Sequence, residues 1–142
     1  MTVYADSSFF VSLYLLDTHS GRAREFMNLR PVVYLTPLHT AEFFHAIAQQ
    51  VFFGKMSTIQ SESVFSNLKR DQTQGLWFAT PMPDRAFDLC ADLARRYGAK
   101  LGVRTLDSLH VACALELKAE RFWTFDERQA KLAKAVGLKS GG

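Results

Sequence analysis

Four acidic side chains fall where a predicted strand ends or a predicted helix begins. Asp6 directly follows an apolar run at 2–5, and Asp126 follows another that ends at Phe125. Glu42 lies about a turn and a half into the helix after a second strand, and Asp107 lies in the first turn of a later helix. Ligands of open α/β sheets bind outside the carboxyl ends of the strands. We therefore expect these four carboxylates to converge on one edge of one sheet.

The sequence neighbours of these acids are mostly apolar. Asp6 lies between Val3-Tyr4-Ala5 and Ser7-Ser8-Phe9-Phe10, and Glu42 precedes Phe43-Phe44. A buried carboxylate is costly to desolvate unless it is neutralised, and neither Asp6 nor Glu42 has a lysine or arginine beside it in the sequence. A divalent cation would neutralise such a set, and Mg²⁺ or Mn²⁺ prefers a few carboxylates together with waters.

Each acid also has an ordinary structural alternative. Asp6 and Asp126 suit the N-cap position of the helices that follow them, and the helix dipole alone favours Asp107 in a first turn. Glu42 can be a plain helix residue that faces water. Capping does not explain why Glu42 falls at the same edge as the other three acids, so the four together favour a metal site.

The elements that position these acids alternate between strand and helix. Thr36-Pro37 and Ser57 are typical helix starts, whereas Gly54 and Gly98 are typical helix ends. Strands separated by helices imply crossover connections and a parallel sheet that is covered on both faces, which is an α/β fold. The predicted strands are 2–5, 32–35, 76–79 and 121–125. The predicted helices are 7–16, 20–28 capped by Ser20, 37–53, 57–74, 83–98, 106–118 capped by Thr105, and 127–136.

Length and composition indicate one globular domain. The chain has 142 residues, 48% of them hydrophobic and 22% charged, which is enough for a core of its own and excludes disordered, collagen-like and disulfide-scaffold classes. The net charge of +3 permits a nucleic-acid partner without demonstrating one. Cys90 and Cys113 form no CxxC pair, so we expect two buried thiols rather than a zinc ribbon. The apolar run at 9–16 is too short to span a membrane and lacks a basic leader, so we expect a cytoplasmic protein with no membrane partner.

Other metal and phosphate chemistries fit the sequence less well. Glu42-x-x-His45 and Asp107-x-x-His110 have the spacing of di-iron carboxylate bundles, but those sites need four long helices. We expect His110 to be a half-buried helix residue that orients Asp107 or hydrogen-bonds to backbone, and His45 to lie at the surface or an interface. An Asp-x-Asp phosphatase loop is absent because residue 8 is serine, and a phosphoacceptor receiver would need an acidic pair before Asp6. The chain has no glycine-rich phosphate cradle either.

The four acids sit in motifs that together resemble a PIN domain, specifically the VapC-type toxins of toxin–antitoxin pairs. The resemblance covers nearly the whole chain and implies a single domain at 1–139, with a frayed tail at 140–142 and a short parallel sheet of about four to five strands. The motifs are Tyr4-Ala5-Asp6-Ser7-Ser8-Phe9-Phe10-Val11, Leu38-His39-Thr40-Ala41-Glu42, Arg104-Thr105-Leu106-Asp107-Ser108-Leu109-His110-Val111-Ala112 and Thr124-Phe125-Asp126-Glu127-Arg128.

The resemblance implies a ribonuclease dependent on Mg²⁺ or Mn²⁺, in which the four acids hold the metal and carry the catalysis. We expect Asp6 and Asp107 to contribute most of the metal binding, with Glu42 and Asp126 completing the shell. Ser8 and Thr124 are expected to support the acids by hydrogen bonds. The alternative is a non-catalytic domain of the same type that binds RNA or protein.

Basic and aromatic residues suggest the partners. Arg104 and Arg128 lie beside acids of the set, where a guanidinium suits an RNA phosphate and equally suits a neighbouring carboxylate. Two phenylalanine pairs, Phe43-Phe44 and Phe52-Phe53, cannot all face one side of the helix at 37–53, so we expect another chain to cover part of it. An unusually aromatic core is the alternative. The resemblance implies a homodimer and a cognate antitoxin as the covering chains.

Overall fold

The core of the protein is a sheet of four parallel strands. The structure is a computed structural model that describes residues 1–141. In the sheet the strand order is β3-β2-β1-β4, with Val3 opposite both Val33 of β2 and Arg121 of β4. The parallel α/β arrangement expected from the sequence is confirmed. The strands are β1 (Thr2–Ala5), β2 (Val32–Leu35), β3 (Trp77–Ala79) and β4 (Arg121–Trp123).

Helices cover both faces of this sheet because side chains alternate along its strands. Val3 and Ala5 contribute to the core on one face, whereas Tyr4 points into the core on the other. Helices α1 to α4 pack on the first face, and α5, α7 and α8 pack on the second. The helices are α1 (Ser7–Tyr14), α2 (Ser20–Met27), α3 (Pro37–Phe52), α4 (Thr58–Thr73), α5 (Ala86–Leu93), α6 (Ala99–Leu101), α7 (Thr105–Glu116) and α8 (Glu127–Ala135), with a π-helical turn at Ala94–Gly98 between α5 and α6.

Two helix boundaries expected from the sequence are wrong. Gly98 does not end the helix, because its backbone stays helical through the π turn and α6; Gly102, at φ 69°, ends it instead. Ser20 does not cap α2, since His19 occupies that position. The Ser20 hydroxyl instead accepts from Asp17 N at 2.9 Å and donates to Ser12 O at 2.7 Å, which ties the preceding loop to α1.

The elements that carry the acids also differ slightly from the expected bounds. Strand β4 ends at Trp123, two residues early, because the Thr124 hydroxyl accepts from Asp126 N at 3.0 Å and turns the chain out of the sheet. Helix α7 is capped at Arg104 rather than at Thr105. Both cysteines are buried free thiols, as expected.

The outer edge of β4 is covered by the end of the chain. Phe122 N donates to Lys139 O at 2.8 Å, and Trp123 Nε1 donates to Gly141 O at 3.0 Å. Of the frayed tail expected at 140–142, Gly142 lies outside the described residues. No helix within residues 1–141 has the length and apolar character that crossing a membrane requires.

Candidate metal centre

Asp6 stands at the carboxyl end of β1 and caps α1. Its Oδ1 accepts from Ser8 Oγ at 2.7 Å and from Phe9 N at 3.3 Å, and its Oδ2 accepts from Thr124 Oγ1 at 2.8 Å. The residue is only 4% exposed. Burial raises the pKa of this carboxyl, although its hydrogen bonds oppose the shift. Asp6 is therefore a desolvated carboxylate whose negative charge the protein compensates incompletely.

Thr124 and Gln129 connect three of the acids. Thr124 donates to Asp6 and accepts from the backbone of Asp126, so one hydroxyl links the ends of β1 and β4. Asp126 caps α8 by accepting from Gln129 N at 2.9 Å. The buried Gln129 side chain then donates from Nε2 to Asp107 Oδ1 at 3.4 Å. Asp6, Asp126 and Asp107 therefore belong to one polar network at the carboxyl edge of the sheet.

Asp107 is buried in the first turn of α7. Its Oδ2 accepts from Arg104 N at 3.0 Å, and the Arg104 guanidinium Nε lies 3.9 Å away on a side chain that is 75% exposed. An exposed pair at that distance contributes little to neutralising the carboxylate. Asp6, Asp107 and Asp126 thus each accept a hydrogen bond from a backbone N–H at a helix N-terminus, which is the structural role that the sequence allows them. Each carboxylate has further lone pairs that are free to bind a ligand.

Glu42 reaches the same edge from the second turn of α3. Its Oε1 accepts from Ser7 Oγ at 2.8 Å and from His110 Nε2. Partial burial raises the pKa of Glu42, but the hydrogen bond and charge of His110 and the Ser7 bond outweigh it, so the net pKa is lowered. Glu42 is therefore held ionised, and its partner Ser7 directly follows Asp6 in the sequence.

The role expected for His110 is wrong. His110 is buried rather than half-buried, and it orients Glu42 rather than Asp107: Nε2 meets Glu42, while Nδ1 lies 2.7 Å from the Tyr4 hydroxyl. Tyr4 also packs against His39, with 4.7 Å between the ring centroids, so the rings of His110, Tyr4 and His39 form one buried cluster behind Glu42. His45 is exposed, as expected, and accompanies none of these groups.

His39 binds the last backbone carbonyl of β1. Thr36 N donates to its Nδ1 at 3.0 Å, which leaves Nε2–H to donate to Ala5 O at 2.6 Å. Complete burial, followed by the neighbouring His110, lowers the pKa of His39 to about 3. A neutral imidazole therefore fixes the backbone immediately before Asp6. The sequence motif contains His39, but its spacing gives no sign that it would bind β1.

The two arginines expected near the acids occupy different positions. Arg104 lies against Asp107 as described, while Arg128 is an exposed residue of the first turn of α8 and makes no salt bridge within residues 1–141. Both are exposed at the edge where the acids lie, so both remain candidates for phosphate contact.

The chemistry of this set fits a hard divalent cation. All four candidate ligands are carboxylates, and beyond His110 and Arg104 no basic side chain among residues 1–141 forms a salt bridge with them. The same residues contain no group of three or more acidic, histidine or cysteine side chains already placed to hold a metal ion. Mg²⁺ commonly takes one or two carboxylates and completes its shell with water, so the incomplete protein shell is compatible with this ion.

Solved structures of other proteins have the same fold. VapC20 of Mycobacterium tuberculosis, a toxin that cleaves the sarcin–ricin loop, superimposes with a TM-score of 0.72 at 13% identity, over 96% of each chain. FitAcB of Neisseria gonorrhoeae gives 0.73 at 14% identity, over 99% of this chain and 97% of that one. VapBC2 of Rickettsia felis, bound to a DNA fragment from its promoter, gives 0.69 at 14% identity, over 99% and 98%.

At these identities the superpositions establish the fold alone, and no curated protein sequence matches the chain. The sequence itself decides the family. Residues 3–135 match the PIN domain, a span that includes all four acids and every strand except the first residue of β1. The chain therefore belongs to the PIN domain family.

Proposed function

We propose that this protein is a metal-dependent endoribonuclease and the toxin of a type II toxin–antitoxin pair. The observation that carries the proposal is the network at the sheet edge, where Asp6, Asp107 and Asp126 are joined by Thr124 and Gln129, together with an ionised Glu42 bonded to Ser7, the residue after Asp6. Family membership and the toxin folds of the structural neighbours support the same reading.

In this proposal Asp6 and Asp107 hold Mg²⁺ or Mn²⁺, and Glu42 and Asp126 complete the site directly or through water. A divalent cation bound there would lower the pKa of a bound water and would stabilise the charge on the leaving oxygen of a phosphodiester. The residues of the chain do the positioning. Ser8 and Thr124 fix the two oxygens of Asp6, and His110 fixes Glu42, so each carboxylate is oriented before a ligand arrives.

The test is metal-dependent cleavage with matched carboxamide variants. Purified protein is incubated with structured RNAs, including a sarcin–ricin loop oligonucleotide, in Mg²⁺, Mn²⁺ or EDTA. We expect Glu42→Gln and Asp107→Asn to lose cleavage by at least about 100-fold, while Glu62→Gln, an exposed residue of α4, keeps it. Cleavage that persists in EDTA or in Glu42→Gln would contradict the proposal.

A non-catalytic binding module is the alternative. The observation in its favour is that capping explains Asp6, Asp107 and Asp126 without any metal. Titration of the folded protein with Mn²⁺ separates the two readings, because a binding module with vestigial acids would take up no metal.

The proposal includes a protein partner. Phe43 is buried, but Phe44, Phe52 and Phe53 are 40%, 83% and 63% exposed, so the second phenylalanine pair is not part of an aromatic core. Ile59, at the start of α4, is 82% exposed as well. Exposed rings of this extent favour coverage by another chain, and the structural neighbours include FitAcB and VapBC2. We infer that a second copy or a cognate antitoxin covers this surface, and light scattering of the purified chain tests the first option.

A further inference from the structure

A groove of about 820 Å³ lies beside the acidic centre, between β4, α2 and α8. We call it the basic groove, because its lining contains five cationic side chains and, within residues 1–141, no acidic one. Its lining also contains aromatic residues, among them Phe26 and Trp123. The five cationic residues are Arg22, Arg121, Lys131, Lys134 and Lys139.

The charges of the basic groove are largely uncompensated. Of these five cationic residues, only Arg22 forms a salt bridge within residues 1–141, an exposed contact with Glu25 at 3.4 Å. Arg121 is more unusual, because its Nε is buried and finds no hydrogen-bond partner in the same residues. A buried guanidinium N–H without an acceptor is costly, but this atom is closed to solvent, so the exposed charges of the groove are what an anionic ligand would meet.

The groove adjoins the acidic centre at Thr124. Thr124 and Phe125 line it, and the Thr124 hydroxyl is the group that donates to Asp6 at 2.8 Å. A ligand that fills the groove therefore ends one side chain away from the candidate metal ligands. A chain of negative charges is the ligand that this arrangement suits, since one part would meet the cations while the next meets the metal.

The aromatic rings of the groove indicate which part of such a ligand is recognised. Phe26 already stacks on Trp123, with 4.6 Å between the ring centroids. The Arg22 guanidinium lies over the Phe26 ring, 4.8 Å from its centroid. Phe125 already stacks on His19 at 4.4 Å. Because these rings have stacking partners within the protein, they offer little open face to a nucleobase, whereas the cations can contact phosphate.

We propose that the basic groove binds the phosphate backbone of the RNA strand that flanks the cleaved bond, without reading its bases. This inference rests on the proposed ribonuclease function and extends it to a second subsite. It assigns the groove an electrostatic role, in which affinity falls steeply with salt and depends little on base identity.

Binding is measured in EDTA, so that cleavage and metal do not contribute. Labelled polyuridylate and polyadenylate oligonucleotides are titrated by fluorescence anisotropy with wild-type protein and with the triple variant Lys131→Gln, Lys134→Gln, Lys139→Gln. The control triple variant, Lys55→Gln, Lys69→Gln, Lys100→Gln, removes the same charge from exposed lysines outside the groove.

We expect the groove variant to weaken binding of both homopolymers by at least about 10-fold and to lower the salt slope by about 2, since each phosphate contact on a single strand contributes about 0.7. The control variant should change affinity by less than about 2-fold. Equal losses in both variants would overturn the inference, as would a strong preference for one homopolymer. If the groove variant binds RNA like wild type while wild type cleaves RNA, the groove assignment fails and the ribonuclease stands. If wild type neither binds nor cleaves RNA, both fail.

Discussion

Asp6 should oppose folding when no metal is present, although it makes three hydrogen bonds. Burial raises its pKa, which means that the folded protein favours the protonated acid. Its contribution to stability is therefore present below the ordinary pKa of an aspartate and is lost as the pH rises through the raised value. At neutral pH the ionised carboxylate is a net cost, and we expect Asp6→Asn to be at least as stable as wild type in EDTA.

The asparagine can keep every hydrogen bond that Asp6 makes. Its carbonyl oxygen can accept from Ser8 and Phe9, and its amide can donate to Thr124, whose hydroxyl rotates to suit. Asp6→Ala removes the cap, worth about 1 kcal/mol, and the hydrogen bond to Thr124, worth about 1 kcal/mol more. The alanine variant should therefore be about 2 kcal/mol less stable than the asparagine variant, or about 8 °C lower in Tm at roughly 4 °C per kcal/mol.

In the presence of metal, wild type should become more stable than Asp6→Asn, the reverse of their order in EDTA. Ligand present at 100 times its Kd stabilises the folded state by about 2.7 kcal/mol, which is roughly 10 °C in Tm for a chain of this size. Wild type should gain this shift in Mn²⁺, and Asp6→Asn should gain little because it lacks the charged ligand.

Thermal unfolding of the three proteins by circular dichroism at pH 7.5, in EDTA and in Mn²⁺, measures both effects. If Asp6→Asn is more than about 1 kcal/mol less stable than wild type in EDTA, the hydrogen bonds outweigh desolvation and the argument from burial is wrong. If Asp6→Asn shows the full metal shift, Asp6 is not a metal ligand.

Two further predictions concern the scaffold. His39, with its pKa lowered to about 3 by burial, stays neutral in the fold while the unfolded chain gains a proton near pH 6.5; stability is thus lost as the pH falls, by about 2 kcal/mol between pH 6.5 and pH 5. Urea unfolding at pH 7 and pH 5 should show a smaller loss in His39→Gln, which keeps a Thr36 capping box, and an equal loss in both proteins would refute this assignment. Phe43→Ala, at a buried core position, should cost about 3–5 kcal/mol, whereas Phe52→Ala, at an 83% exposed position, should stay within about 0.5 kcal/mol. Comparable urea midpoints for these two variants would contradict the packing described.

Local sequence signals placed most elements because their boundaries depend on nearby residues. Helix α3 begins at Pro37 after Thr36, and Ser57 caps α4, as the residue types indicate. Gly98 was misleading because glycine is tolerated within a helix, and what ends a helix is the left-handed backbone that Gly102 adopts. The parallel strands followed from the alternation of strand and helix, whereas the strand order β3-β2-β1-β4 is known only from the structure.

The supporting groups of the site were harder to predict because they depend on distant contacts. The pairing of His110 with Glu42 and of Gln129 with Asp107 joins residues 68 and 22 positions apart. No spacing rule connects such residues, so His110 was assigned to the acid one turn away on its own helix. No feature of the sequence marks Gln129 as a partner of Asp107, since a glutamine in an amphipathic helix is usually a surface residue. The metal roles of the four acids stay predictions.

The capping contacts have a consequence for how this site would change over evolutionary time. Asp6, Asp107 and Asp126 each satisfy the N-terminus of a helix, so selection for stability alone would retain them in a descendant that had lost its chemistry. Within residues 1–141, Glu42 caps no helix and accepts hydrogen bonds only from Ser7 and His110. It would be free to drift once activity no longer mattered. Among homologues, the residue at this one position therefore distinguishes a working centre from a relic better than the other three acids together.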